Sequence, residues 1–178
     1  RRKVESGIRR GDLADGSRPF IRSNYFDLAM IMDYWSEKRL NHHTEATSML
    51  YAARECARVA LQEGLEARLA RHAACGAAMV HGLRGMGLEV YGQDAHRMTN
   101  VTGVHIPASV DGERVRQRMR DDYQIEIGTA FGPLAGKIWR IGAMGFNAEL
   151  PKVRQTLEAL RNVLLSEGYD PGRALASG

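Results

Sequence analysis

Cysteine, aromatic residues and long apolar runs are all scarce in this sequence. Its two cysteines, Cys56 and Cys75, sit in Ala-rich helical patterns and do not form a CxxC pair. This usage predicts small buried thiols in a reducing, cytoplasmic compartment. No apolar stretch is long enough to cross a bilayer or to form the core of a secretion signal. The first residue is Arg1 rather than methionine, and the expectation is an internal piece of a longer soluble protein.

Aromatics make up 7% of the chain and do not alternate with basic residues, as a base-stacking platform requires. A net charge of +4 would otherwise invite a nucleic-acid reading. The arginines are scattered instead, at Arg54, Arg58, Arg68, Arg71, Arg114, Arg116, Arg118 and Arg120, mostly beside acids. That pattern predicts a solvated arginine-rich surface, with no nucleic-acid and no membrane partner. Metal ligands at usable spacing are lacking too. His42 and His43 are adjacent, so their side chains diverge, and His72 and His81 lie nine apart rather than at i, i+4. No metal is expected.

GPLAGK resembles a phosphate loop at a glance. It is one residue short of the GxxxxGK motif, carries Ile138 where a magnesium-binding hydroxyl belongs, and leads into a strand pattern. Its glycines read better as a tight bend before that strand.

What remains is ample for one real core: 178 residues, 44% of them hydrophobic. Residues 1–22 are basic and polar with several breakers, and predict a short helix and an exposed connector. Asn24 can cap a helix from Phe26 to about Trp35, with Leu28, Ile31, Met32 and Trp35 at helical spacing. After a polar interruption, Leu50, Ala53, Ala57, Ala60 and Leu61 form one face of a helix that starts near Thr47 and ends at Gly64. A second Ala-rich helix runs from about Leu65 to Gly85.

The period then changes. LEV at 88–90 is a short strand pattern, and NVTGVHIP a better one, with Thr102, Val104 and Ile106 on one face. Asp111 and Gly112 start a helix carrying Val115, Met119 and Tyr123. Ile125 and Ile127 alternate about Glu126 as another short strand. KIWRIGAM is the most apolar strand. A last helix, from near Leu150 to Glu167, shows Val153, Leu157, Leu160 and Leu164 at helical spacing, with Pro151 in its first turn. The order predicts an α+β fold, a small and mainly antiparallel sheet covered by helices, with no internal repeat.

Within KIWRIGAM stands Arg140. A guanidinium cannot shed its charge, and an unpaired buried charge is costly. Arg140 shares a face with Ile138 and with Gly142, whose missing side chain leaves room beside it. Three readings follow: bidentate capture of a carboxylate, an internal salt bridge to an acid such as Glu126, or a side chain reaching out to water.

Four segments give a more specific reading: SNYFDLAMIMDYW, NHHTEATSMLYAARE, QEGLEAR and IEIGTAFGPLAGKIWRIGAMGFNA. In this order they resemble class V aminotransferases of the alanine–glyoxylate and serine–pyruvate type, from about Asn24 to Leu165. RRKVESGIRR, ahead of them, is similar to an extension in the branch that uses (S)-ureidoglycine.

The resemblance implies the C-terminal portion of a fold-type I transferase dependent on pyridoxal 5'-phosphate. It divides the chain into a basic connector at 1–23, an interface loop and helices at 24–86, a small α+β domain at 87–170 and a flexible tail at 171–178. It assigns the substrate α-carboxylate to Arg140 and the cofactor phosphate of the neighbouring subunit of a homodimer to Thr44. Asn41 stands where alanine- or serine-using relatives commonly carry tyrosine, so the resemblance assigns it to the ureido group.

The family's cofactor-linking lysine lies upstream of this segment. Lys3, Lys38, Lys137 and Lys152 are the chain's lysines, and none matches that motif. The expectation is an amino transfer from (S)-ureidoglycine to glyoxylate, in purine catabolism, with this segment inactive alone. Alanine or serine as donor is the alternative within the family, and a non-catalytic carboxylate-binding or dimerisation module the alternative outside it.

Overall fold

In the computed structural model the described residues are 25–26, 28–37 and 43–170. The expected helix within 1–22, the Asn24 cap, Asn41, and the connector and tail lie outside them. The chain divides into two units between Cys56 and Ala57, inside one helix.

The first unit holds α1 (Leu28–Tyr34), shorter than the Phe26–Trp35 helix expected. Trp35 falls in the following turn, where its N–H reaches the Ile31 carbonyl at 3.0 Å, and its ring is exposed. The His43 ring lies against two tyrosines, with centroids 4.8 Å from Tyr25 and 5.8 Å from Tyr34.

Helix α2 (Thr47–Glu63) forms where the apolar spacing places it, yet it buries none of its residues. Leu50 and Leu61 are 51% and 83% exposed. Cys56 is exposed as well, against the expectation of two buried thiols, whereas Cys75 is buried. Helical period marks which residues would share a face; burial requires a covering surface, which α2 does not have among the described residues.

In the second unit Gly64, at a positive φ of 84°, turns the chain into α3 (Leu65–Gly85). This helix buries Cys75, Gly76, Met79 and Leu83 along one stripe. A Cβ on Gly76 would stand 2.4 Å from the Thr99 carbonyl oxygen, so only glycine lets α3 come this close to that backbone.

Strand β1 (Val101–His105) alternates as expected, burying Thr102 and Val104. The LEV strand reduces to one bridge, Val90 with Val104. Helix α4 (Gly112–Tyr123) is capped by Asp111, whose carboxylate accepts from the Glu113 and Arg114 N–H groups. It is followed by β2 (Gly128–Thr129), β3 (Ile138–Gly142) and α5 (Leu150–Ser166), with Pro151 in the first turn of α5.

The strand expected at Ile125–Ile127 is displaced to β2. Gln124 adopts a left-handed conformation at the end of α4, and the Ile125 N–H bonds back to the Met119 carbonyl. Those residues therefore finish the helix and are not free to enter the ladder.

The sheet is antiparallel in the order β1–β3–β2, which makes β3 the central strand. Val104, Trp139 and Ile141 join Val115 and Met119 of α4, Met79 and Leu83 of α3, and Leu160, Val163 and Leu164 of α5 in one core. Helix α3 packs on α5 and β1, and α4 packs on α5.

Buried polar atoms in this core have partners. The Trp139 indole donates to the Gly112 carbonyl at 3.0 Å, and the Tyr169 hydroxyl to the Met86 carbonyl at 2.9 Å. Burial raises the Tyr169 pKa above the ordinary phenol value. The expected α+β architecture, a small antiparallel sheet with helices, is what forms.

Candidate functional site

Alternation along β3 sends Trp139 and Ile141 into the core and leaves Arg140 on the opposite face. Two glycines stand opposite Arg140, Gly103 in β1 and Gly128 in β2. Gly142 follows two residues along the same strand. The three glycines leave room beside the arginine, although buried Ile138 shares the face and Tyr91 and Met144 lie against Gly103 and Gly142.

It is nevertheless held. Arg140 Nε donates to the Thr129 carbonyl at 2.7 Å, and its Cζ lies 4.9 Å from the centroid of the Phe131 ring. No acid among the described residues pairs with it. Glu126, one expected partner, instead accepts from Arg116 at 3.2 Å. The internal salt bridge is therefore not formed, and the two terminal nitrogens of Arg140 have no partner among the described residues. The arginines of α4 behave oppositely: Arg116 engages Glu113 and Glu126, Arg118 engages Asp122 and Glu167, and Arg120 engages Asp121.

The GPLAGK segment is the bend its glycines indicate. Gly132 and Gly136 both have positive φ, 57° and 71°, and neither would clash through a Cβ, so backbone conformation is the reason for glycine here. Phe131, exposed between β2 and this turn, lies beside the guanidinium.

The chain leaving β3 is clamped from α3. His72 Nδ1–H donates to the Arg68 carbonyl at 2.7 Å, and His72 Nε2 accepts from the Gly145 N–H at 3.1 Å. Only the neutral Nδ1–H tautomer satisfies both. Arg71 donates to the Gly145 and Ala148 carbonyls at 2.9 and 2.6 Å while pairing with Glu63. The Arg71 and Arg68 guanidiniums hold the Glu63 carboxyl at a pKa of about 2. Sequence reasoning weighed His72 only as a metal ligand. No spacing rule points to a histidine that bridges two backbones distant in sequence.

Thr44 is exposed in the loop ahead of α2. It belongs to the first unit and Arg140 to the second. Asn41, the other substrate residue expected, is outside the described residues. Among the described residues no group of three or more metal-ligating side chains exists, and no helix is long and apolar enough to cross a membrane. Lys137 is exposed, and Lys152 donates to the Phe146 carbonyl at 2.9 Å and lies over the Phe146 ring. A cavity of about 450 Å³ opens between Gln124–Ile127, Gly142 and the first turns of α5, and Arg140 does not line it.

No family model matches the chain. An (S)-ureidoglycine–glyoxylate transaminase of Bacillus subtilis (strain 168) is 52% identical over 98% of the chain and 43% of the relative. The crystal structure of ureidoglycine–glyoxylate aminotransferase from Bacillus subtilis superposes with a TM-score of 0.80, covering 89% of this chain and 41% of that one. An alanine–glyoxylate aminotransferase from Nostoc sp. gives a TM-score of 0.78 at 36% identity, over 84% of this chain and 40% of that one. The chain thus spans well under half the length of these relatives. Along the length it shares with them, the chain belongs to the class V aminotransferases of the alanine–glyoxylate and ureidoglycine–glyoxylate type.

Proposed function

We propose that this chain is the C-terminal, carboxylate-anchoring portion of a pyridoxal phosphate-dependent aminotransferase that moves an amino group from (S)-ureidoglycine to glyoxylate, in purine catabolism. The products would be glycine and oxalurate. The observation that carries the reading is Arg140: a guanidinium with no acid partner among the described residues, exposed on the sheet and tied at Nε, with Nη1 and Nη2 left over. Such a fork matches the two oxygens of a carboxylate, and both substrates carry one. Docking there fixes the α-carbon relative to the rest of the site, so binding meets part of the orientational cost of reaction.

Pyridoxal phosphate, when bound, supplies the electron sink through which an amino group leaves a donor and joins an acceptor. The residues present fit it as a partial set. Thr44, on an exposed loop, offers a hydroxyl to the phosphate of the neighbouring subunit in a homodimer. The lysine that holds the cofactor comes from outside this segment in our reading, since Lys152 is already engaged with Phe146 and Lys137 is solvent-facing. Asn41 offers both a donor and an acceptor to the planar ureido group.

The division into a connector at 1–23, interface helices at 24–86, a small domain at 87–170 and a tail at 171–178 is part of the same proposal. The uncovered apolar face of α2 supports the interface portion. A reducing, cytoplasmic setting also belongs to it, in keeping with two cysteines in free form.

The test is turnover by the full-length protein that carries this sequence, given pyridoxal phosphate, (S)-ureidoglycine and glyoxylate, with glycine assayed. Equal rates with alanine and ureidoglycine would overturn the donor assignment. Full activity of Arg140→Ala would overturn the anchor.

A further inference from the structure

We infer that Phe131 is a positioning residue of the carboxylate site, acting through Arg140. The inference rests on the reading of Arg140 as the anchor and adds what orients it. An arginine held by a single hydrogen bond at Nε can still swing its plane about that bond. Here the plane has a second restraint, because the Phe131 ring lies 4.9 Å from Cζ and its electron-rich face attracts the cation. With the Thr129 carbonyl at Nε and the ring beneath Cζ, the remaining edge of the guanidinium, Nη1 with Nη2, has no hydrogen-bond partner among the described residues.

The ring is itself fixed by its loop. Phe131 has extended backbone, its carbonyl accepts from the Leu134 N–H at 3.3 Å, and Gly132 at positive φ with Pro133 stiffens the turn behind it. A phenylalanine 76% exposed contributes little to the core, so its use is sought at the surface it touches. That surface is the arginine. Pinned in this way, the fork meets a carboxylate already aligned, and less rotational freedom is lost on binding.

The experiment uses the full-length enzyme and reads two things: steady-state KM and kcat for glyoxylate, and equilibrium binding of propionate, a carboxylate that does not react. Phe131→Ala is expected to weaken propionate binding and raise KM by about two- to fivefold, with kcat unchanged. Phe131→Leu, which keeps bulk without a ring face, behaves like Phe131→Ala, whereas Phe131→Tyr restores wild-type values. In an Arg140→Ala background, Phe131→Ala has no further effect.

Unchanged KM and propionate affinity in Phe131→Ala, alongside large losses in Arg140→Ala, would overturn the role of Phe131 and leave the anchor standing. A fall in kcat at constant KM, or an equal loss with and without Arg140, would also overturn it. Propionate binding untouched by Arg140→Ala would remove the anchor, and this inference with it. Thermal unfolding of each variant separates these outcomes from loss of fold.

Discussion

The two faces of β3 differ in almost every respect although their residues alternate along five positions. One face carries Trp139 and Ile141, both nearly fully buried in a core shared with three helices. The other carries Ile138, also buried, and Arg140, exposed and flanked by glycines on both neighbouring strands. The first face is rich in side-chain contact, and its residues answer to stability. On the second face Ile138 is packed, whereas Arg140 is exposed and held by a carbonyl and a ring in a way that leaves hydrogen-bonding capacity over. The lesson is that a strand can carry a fully packed face and, behind it, a face that is packed at one position, Ile138, and open at the next, Arg140.

Four changes would break or sharpen that contrast. The largest effect is expected on the buried face. Trp139→Ala removes the biggest fully buried side chain and its hydrogen bond to the Gly112 carbonyl, and should destabilise the fold by about 3–5 kcal/mol. Chemical denaturation of the chain measures it. Next comes the open face. Arg140→Ala should leave the unfolding midpoint unchanged while reducing kcat/KM of the full-length enzyme by about a hundredfold, or ~2.7 kcal/mol, since one side of a charged bidentate pair is lost. A drop in stability with unchanged turnover would reverse the assignment of the two faces.

Third, Gly76→Ala tests the support beneath the buried face. Its Cβ would meet backbone at 2.4 Å, and backbone cannot swing aside as a side-chain tip can, so about 1–3 kcal/mol of stability should disappear. Gly82→Ala is the control, because the atoms its Cβ meets are the movable end of Leu157. A smaller loss is expected there.

The smallest effect concerns the clamp on the segment leaving β3. Glu63 has a pKa of about 2 in the folded chain against an ordinary value of 4.5. A carboxyl depressed on folding contributes stability in full above pH 4.5, and the contribution fades as pH falls towards 2. Glu63→Gln should therefore lower the unfolding midpoint most above pH 4.5 and flatten its pH dependence between about 4.5 and 2. An identical acid profile for the variant and the parent would show that the Glu63–Arg71 pair does no such work.

Much of this was legible in the sequence, and the reasons are physical. Helical and strand periods report which residues share a face, so α3, α5, β1 and β3 could be placed within a residue or two. Periodicity does not report hydrogen-bond partners. Ile125 and Ile127 alternate because one is buried and the other half-buried, yet the Ile125 N–H belongs to the end of α4. Nor does it report cover, which is why Cys56 was expected to be buried. Arg140 stood out because a permanent charge in an apolar run demands a partner. Phe131 did not, since an aromatic residue in a loop has no such demand; only the folded chain sets it beside the arginine.

The strand order has a consequence for how the chain is made. Both strands that flank β3 precede it in sequence, so during synthesis β1 has only its bridge to Val90, and β2 no partner strand, until Ile138–Gly142 leaves the ribosome. Until then the apolar residues of the nascent N-terminal helices and strands wait without a template, and the last quarter of the chain closes the whole unit at once. The segment that carries Arg140 is therefore also the one that completes the sheet.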